Sequence, residues 1–422
     1  MWETLASTPR QDRVLHGAAK LVNVLVGLVA LPAWLLGQWL TGPLRRRLGR
    51  AAARPELPVP VAGERSMVSL MAELEAIPHR LRSTPWAEPR KGLRDISTFV
   101  LTQHHDAANL GYGYPSQFHD YVFEGVDGIR VGASLALQER PRPALIVVHG
   151  LFSTRRFDYV RDIAVRAYYE WGFSVAAVDL RSFGLTGLAN EAPSSGGWKE
   201  GEDLIRIAEQ LRDLGATSVG ALGISLGGSS VLAASHPQGA ETLAGGILAI
   251  SPPADVGAAT TRLSRRVPLS HPAYALNYGF RAMLVSRVRS SRWPEDLRRL
   301  DEALDQVSAA YYGTDVEEIR ARSSAANHIA GARVPVLVLH PVDDRIIPVR
   351  HAELLRDAAA ENPLVRVWVL PGGGHGAIDV VDRRWAFTVY RRFFERWADY
   401  ADRGDAEVVY SAPPEGKVEV GG

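Results

Sequence analysis

The sequence contains no cysteine among its 422 residues. This absence excludes disulfide bonds, thiolate nucleophiles and thiol-ligated metal ions, so any covalent nucleophile must be an oxygen or a nitrogen atom. Net charge is almost absent too, because 48 basic and 47 acidic side chains leave a formal charge of +1. A chain with so little net charge has no overall field that would attract nucleic acid, and we expect no nucleic-acid partner.

The residues that are present describe an ordinary globular protein, with 46% hydrophobic and 23% charged side chains. The chain is long enough for one large catalytic domain with appended segments, and it shows no internal repeat. We predict four parts, namely an N-terminal extension over residues 1–55, a linker and helical lead-in over 56–113, a catalytic domain over 114–402 and a C-terminal tail over 403–422.

The N-terminal extension holds one long apolar run, from Leu21 to Leu40, which is about the length that a helix needs to cross a bilayer. Asn23, Pro32 and Gln38 interrupt it, so an interfacial helix and a helix packed on the protein are alternatives to a spanning one. More basic residues follow the run than precede it, which favours a cytoplasmic catalytic domain. We therefore predict a membrane-associated protein with a cytoplasmic catalytic domain, with a soluble cytoplasmic protein as the alternative.

Short apolar runs alternate with helical patterns through the catalytic domain. HDYVFE and IRVGASLAL predict a β-hairpin, and ALIVVHG, SVAAVDL, SVGALGIS, GGILAIS, VPVLVLH and VRVWVL predict strands that helices cover on both faces. This alternation is typical of an α/β fold with a mostly parallel central sheet flanked by helices. A predominantly helical insertion over about 256–332 interrupts it, and we predict that this insertion forms a lid.

The sequence GISLG, residues 223–227, matches the pattern G-x-S-x-G. It follows the apolar strand SVGAL and precedes the helix-forming run GGSSVLAAS, which is the context in which this pattern holds a nucleophile. A serine on such a sharp strand-to-helix turn presents its hydroxyl above the sheet, and the flanking glycines leave the turn free of clashing Cβ atoms. The pattern predicts that Ser225 is a nucleophile.

A serine hydroxyl needs a neighbouring base, and that base needs a third group to orient it. His375 follows the last predicted strand in the loop PGGGHG, where three glycines allow the chain to turn an imidazole toward the serine. Asp343 and Asp344 follow the preceding strand, and Asp255 follows an earlier one. Two adjacent carboxylates cannot point the same way, so Asp343 and Asp344 are alternatives to each other. Asp255 is a third candidate for the acid.

The oxyanion that forms when serine attacks a carbonyl carbon needs about two preorganised N–H donors. The backbone N–H of Leu226 follows the serine at the start of a helix and is the first candidate. The second is the backbone N–H of Leu151, after His149 and Gly150 at the end of strand ALIVVHG, with Phe152 as the alternative. We interpret His149 itself as a structural residue.

From about Tyr114 to Tyr400 the chain resembles the α/β-hydrolase superfamily and, within it, the YheT-like branch of hydrolases and lipid esterases. The motifs that carry the resemblance are HGLFS, VDLRSFG, GGWKEGEDL, GISLGG, SPPADV, VDDRIIP and GGGHG. The resemblance implies a Ser–Asp–His order along the chain, an acid four residues before Pro348, which is Asp344, and hydrolysis of carboxylic esters, often acyl or lipid esters, without a metal or organic cofactor. The stretch SFGLTGLANEAPSSGGW departs from the branch pattern, which leaves the substrate preference open.

Two other functions are compatible with the same motifs. An acyltransferase or a perhydrolase would use the same three side chains but replace water by an alcohol or a peroxide. A membrane-tethered binding protein would keep the fold without turnover.

Overall fold

The computed structural model describes residues 65–83, 114–235, 242–265 and 299–398. The apolar run at residues 21–40 and the C-terminal tail over 403–422 lie outside the described residues. Within the described ranges, no helix is both long and apolar enough to cross a membrane.

An eight-stranded sheet forms the centre of the molecule, in the order β1-β2-β4-β3-β5-β6-β7-β8. The strands are β1 (His119–Glu124), β2 (Arg130–Ala136), β3 (Ala144–Val148), β4 (Ser174–Val178), β5 (Val219–Ile224), β6 (Ile247–Ile250), β7 (Val336–Pro341) and β8 (Val365–Leu370). β2 pairs antiparallel with both β1 and β4, and the remaining pairs are parallel. The predicted hairpin and the mostly parallel sheet are confirmed.

Helices cover both faces of this sheet. They are α1 (Met67–Glu75), α2 (Asp158–Tyr169), α3 (Gly184–Ala189), α4 (Trp198–Asp213), α5 (Leu226–Ala233), α6 (Val256–Ser264), α7 (Leu300–Glu302), α8 (Ala309–Tyr311), α9 (Val316–Ser323), α10 (Ala326–Ile329), α11 (Arg350–Ala358), α12 (Ile378–Val381) and α13 (Arg383–Trp397). A turn of 3-10 helix spans Val126–Gly128, and a π-helical segment, Ala303–Ser308, joins α7 to α8.

The hydrophobic core has two layers because successive residues of a strand point to opposite faces of the sheet. In β3, Ile146 and Val148 contact the layer that α4 and α5 complete, whereas Leu145 and Val147 contact the layer of α1, α2 and α13. Every residue of β3 is buried. Burial on both faces of the sheet therefore explains why the predicted strands are almost continuously apolar.

The lead-in helix α1 is part of the second core layer. Leu70 and Leu74 are fully buried there, and Glu73 forms an ion pair with Arg396 of α13. The chain then continues along α12 and α13, where the N–H of Arg80 donates to the Asp382 carboxylate at 2.8 Å. The described portion of the predicted lead-in thus packs on the same core as the sheet.

The described chain between β6 and β7 consists mainly of helices joined by short turns. It comprises α6 to α10 and the π-helical segment, with residues 266–298 outside the described ranges. The buried hydroxyl of Ser308 donates to the Ser194 carbonyl at 2.7 Å, and the Tyr312 hydroxyl contacts the Arg181 guanidinium at 3.1 Å. These contacts join the insertion to the segments that precede and follow α3.

Candidate active site

The carboxyl ends of the parallel strands form one edge of the sheet, and strained backbone is concentrated there. Four of the five non-glycine residues with positive φ in the described ranges follow strand ends at this edge, namely Phe152 after β3, Ser182 after β4, Ser225 after β5 and Ser251 after β6. Side chains other than glycine rarely adopt this conformation, and it is enriched at functional sites. Ligands of open parallel sheets also bind at this edge.

Ser225 lies on a sharp turn between β5 and α5, with φ 58° and ψ −118°. Its N–H donates to the Ile250 carbonyl of β6 at 2.9 Å, which ties the turn to the neighbouring strand. A Cβ atom on Gly223 would overlap the Gly227 carbonyl, and one on Gly227 would overlap the His149 carbonyl. The two glycines of the motif are therefore required by close backbone approach, and the serine side chain between them stays partly exposed.

His375 and Asp344 are brought together from two different loops. Asp344 follows β7, His375 follows β8, and the imidazole Nδ1 lies 2.9 Å from the Asp344 Oδ2. A carboxylate can only accept, so Nδ1 carries the proton, and in the neutral ring Nε2 is the acceptor nitrogen. The Asp344 carboxylate is fully buried, whereas the His375 ring is 13% exposed.

The other Asp344 oxygen is held by the backbone. Oδ1 accepts the N–H groups of Ile346 at 3.0 Å and Ile347 at 2.8 Å. Burial alone would raise the pKa of Asp344, but the His375 ring and the backbone N–H groups outweigh it and hold the pKa below its usual value. Asp344 is therefore an ionised carboxylate in a fixed orientation at neutral pH.

The two alternative acids make other contacts. Asp343 accepts the N–H of Gly374 at 2.9 Å, so it supports the backbone of the histidine loop. Asp255 caps α6 by accepting the N–H of Ala258 at 2.8 Å. The carboxylate that lies at hydrogen-bond distance from the His375 ring is that of Asp344.

The N–H groups of Leu226 and Leu151 lie near Ser225. Leu226 is the first residue of α5, where backbone N–H groups have no acceptor within the helix. Gly150 approaches the serine so closely that a Cβ atom on it would lie 3.2 Å from the Ser225 Cβ. Neither N–H has a hydrogen-bond acceptor in the part of the chain that the structure describes. Both remain available to a bound oxyanion.

His149 orients the peptide that carries the Leu151 N–H. Its Nε2 accepts the N–H of Leu180 at 3.0 Å, so Nδ1 carries the proton and donates to the Gly150 carbonyl at 2.7 Å. Burial lowers the pKa of His149, which keeps the ring neutral and this tautomer in place. Since C=O and N–H point in opposite directions across a trans peptide, the Leu151 N–H points away from His149.

Ser251 and Asp179 support the site and were not singled out in the sequence. The Ser251 hydroxyl accepts the N–H of Gly376 at 3.2 Å, directly after His375. The buried Asp179 carboxylate accepts the N–H of Arg155 at 2.7 Å and pairs with its guanidinium, which anchors the loop after β3. Each of the two residues directly follows a buried strand, and this position in the sequence is the feature that could have identified them as site residues.

A metal site is not evident in the same region. Within the described ranges, no three histidine, cysteine, aspartate or glutamate side chains lie close enough to hold a metal ion.

Comparison with known proteins gives one match to a family. The sequence model described as the alpha/beta hydrolase family matches residues 145–389, which is more than half of the chain. No curated protein matches the sequence.

Several solved structures are similar to this one. The esterase Pf2001 of Pyrococcus furiosus has a TM-score of 0.48 and 15% identity, over 66% of this chain and 92% of that one. The esterase EaEST of Exiguobacterium antarcticum has a TM-score of 0.42 and 15% identity, over 66% of this chain and 100% of that one. A membrane phospholipase A, described as a bacterial virulence factor, has a TM-score of 0.44 and 16% identity, over 70% and 92%.

Proposed function

Because this chain belongs to the alpha/beta hydrolase family, we propose that it is a serine hydrolase that cleaves carboxylic esters, with Ser225, His375 and Asp344 as its catalytic triad. The observation that carries the proposal is the 2.9 Å contact between His375 Nδ1 and the buried Asp344, at the sheet edge where Ser225 occupies a strained turn. A base fixed by a carboxylate and a partly exposed serine on such a turn are the groups that acyl transfer requires.

The reaction proceeds in two steps. Ser225 Oγ attacks the ester carbonyl carbon while His375 Nε2 accepts the hydroxyl proton, and the resulting oxyanion binds the N–H groups of Leu226 and Leu151. The tetrahedral intermediate expels the alcohol, which takes the proton from His375, and an acyl-enzyme remains. Water then attacks the acyl-enzyme with His375 as base, which releases the acid and regenerates Ser225.

Asp344 acts by holding the imidazole in one tautomer and by stabilising the imidazolium that forms in each step. Its negative charge is secured by the backbone N–H groups of Ile346 and Ile347, so it needs no proton from His375. Asp343 holds the loop that carries the base, through Gly374.

Substrate class and location belong to the same proposal. The motifs that resemble the YheT-like branch support an acyl or lipid ester as substrate, and the helical insertion between β6 and β7 has the place of a lid. The apolar run at residues 21–40 supports attachment to a membrane surface with the catalytic domain in the cytoplasm. These assignments rest on the sequence.

Replacement of Ser225 by alanine tests the nucleophile. A fluorophosphonate probe is expected to label the wild-type protein and a Ser116→Ala control, whose serine lies on the surface, but not Ser225→Ala. We expect kcat for a short-chain p-nitrophenyl ester to fall by on the order of 10⁴ to 10⁶ in Ser225→Ala. Full activity in that variant would overturn the mechanism.

A panel of esters tests the substrate class. Wild-type protein is assayed on p-nitrophenyl esters of increasing acyl length, with and without detergent micelles. Higher kcat/KM on long chains, increased by micelles, supports a lipid ester and a lid that opens at an interface. A flat profile contradicts the lipid assignment but leaves the triad untouched.

A further inference from the structure

A second buried histidine lies behind the acid of the proposed triad. His340 is the penultimate residue of β7, and its side chain is completely buried. Its Nε2 lies 2.9 Å from the Ile347 carbonyl and 3.9 Å from the Asp344 Oδ2. No sequence motif gives His340 a role, and the ester-cleavage mechanism does not use it.

His340 closes the loop that carries Asp344. A carbonyl only accepts, so the Nε2–H of His340 donates to Ile347, whose own N–H donates to Asp344 Oδ1 at 2.8 Å. Ile347 thereby links His340, near the end of β7, to the Asp344 carboxylate. Without the imidazole, the Ile347 carbonyl would have no donor among the residues that the structure describes, and the loop would be free to rotate that peptide.

The ring is poorly explained as a filler of the core. Its Nδ1 is buried and has no partner among the described residues, and an unpaired buried polar atom is unfavourable. A leucine or methionine would fill the same space without that cost. What an apolar side chain cannot supply is the donor to Ile347.

His340 also stays uncharged beside Asp344. The titratable groups that act on it are Asp344, His375 and the buried His351. Burial lowers the pKa of His340, so a neutral ring faces the carboxylate at neutral pH. Of these groups, the His375 imidazolium is then the ionic partner of Asp344 during the reaction.

We propose that His340 is a positioning residue for the triad, which fixes the orientation of the Asp344 carboxylate by holding the Ile347 carbonyl. The proposal rests on the proposed function, since it assigns Asp344 the role of triad acid. It adds a residue that touches neither the substrate nor the imidazole of His375.

Two substitutions separate the hydrogen bond from the volume of the side chain. In His340→Leu the donor is lost, and we expect kcat to fall roughly 10-fold to 100-fold with KM little changed, because small displacements of catalytic groups have effects of this order. In His340→Gln the amide N–H can donate to Ile347, and we expect most of kcat to return. His328→Leu is the matched control, since His328 contacts the Arg322 carbonyl at 2.7 Å away from the site.

Two readouts report the position of Asp344 and not the stability of the fold. The first is the pKa on the acid limb of kcat/KM, which should fall in His340→Leu because a displaced Asp344 stabilises the His375 imidazolium less. The second is the low-field proton NMR signal of His375 Nδ1–H, which should be lost or shifted in His340→Leu and retained in His340→Gln. Thermal unfolding of all variants shows whether they fold.

The NMR signal needs no substrate, so it separates two kinds of failure. If the wild-type protein shows the signal but hydrolyses no ester, the proposed function is wrong while the positioning role is still tested. If the signal and the acid limb are unchanged in His340→Leu, or if His340→Gln is as impaired as His340→Leu, the positioning role is wrong.

Discussion

Replacement of Asp344 by asparagine changes the chemistry of one atom while keeping the shape of the side chain. An asparagine has one acceptor oxygen, and two backbone N–H groups, from Ile346 and Ile347, point at the place of Oδ1. The amide oxygen must stay there, because turning it would set the NH₂ group against both donors. The NH₂ group then faces His375 Nδ1, where the carboxylate now accepts at 2.9 Å.

An NH₂ group can only donate, so the imidazole must keep Nδ1 unprotonated and carry its proton on Nε2. Nε2 then has no lone pair to accept the Ser225 proton. Loss of the correct tautomer in such a triad lowers kcat by a factor on the order of 10⁴, which raises the activation free energy by about 5 kcal/mol. We expect this loss in Asp344→Asn without a large change in KM.

Asp343→Asn and Asp255→Asn are the matched controls. An asparagine oxygen can still accept the Gly374 N–H in the first, and asparagine caps a helix as well as aspartate in the second. We expect kcat of both variants to stay within about threefold of the wild-type value, because each substitution keeps the hydrogen bond that the aspartate makes. The assay is steady-state hydrolysis of a short-chain p-nitrophenyl ester. The reasoning would be refuted if Asp344→Asn kept more than a tenth of the wild-type kcat. It would also be refuted if either control lost as much kcat as we expect Asp344→Asn to lose.

Two further predictions concern stability and the histidine loop. Burial lowers the pKa of His351 from 6.5 to about 4. The contribution of the neutral ring to the free energy of unfolding is therefore complete above pH 6.5 and is lost as the pH falls toward 4. Urea unfolding should show wild type losing about 2 kcal/mol more than His351→Gln between pH 7 and pH 5, and parallel curves would contradict this. A Cβ atom on Gly372 would overlap the Arg82 backbone, whereas one on Gly331 meets its nearest atom at 3.7 Å. Gly372→Ala should therefore lower both kcat and Tm while Gly331→Ala changes neither, and equal effects would be the contrary result.

The order of strands and helices could be predicted from the sequence because its signals are local. Apolar runs such as ALIVVHG are buried on both faces, and the pattern G-x-S-x-G lies between a strand and a helix that are themselves visible in the sequence. Helix and strand periodicity depend on neighbouring residues, so no long-range contact has to be known. The eight-stranded sheet follows the predicted runs one by one.

The choice among the three candidate acids could not be made from the residues alone. Asp343 and Asp344 are adjacent, and only the path of the loop between β7 and α11 decides which carboxylate turns toward His375 and which toward Gly374. That path depends on the N–H groups of Ile346 and Ile347, which become donors to a side chain only once the loop has folded. The resemblance in VDDRIIP favoured Asp344, and the structure supplies the contact.

The lead-in shows the same division between local and long-range information. Its helical character was visible in the sequence, but its partner, α13, lies about 300 residues later in the chain, at a sequence separation of 323 for the Glu73–Arg396 contact. The sequence by itself therefore determined the elements and the nucleophile candidate Ser225. The tertiary structure decided that His375 meets Asp344, because hydrogen bonds between loops exist only after the sheet has brought their strand ends to one edge.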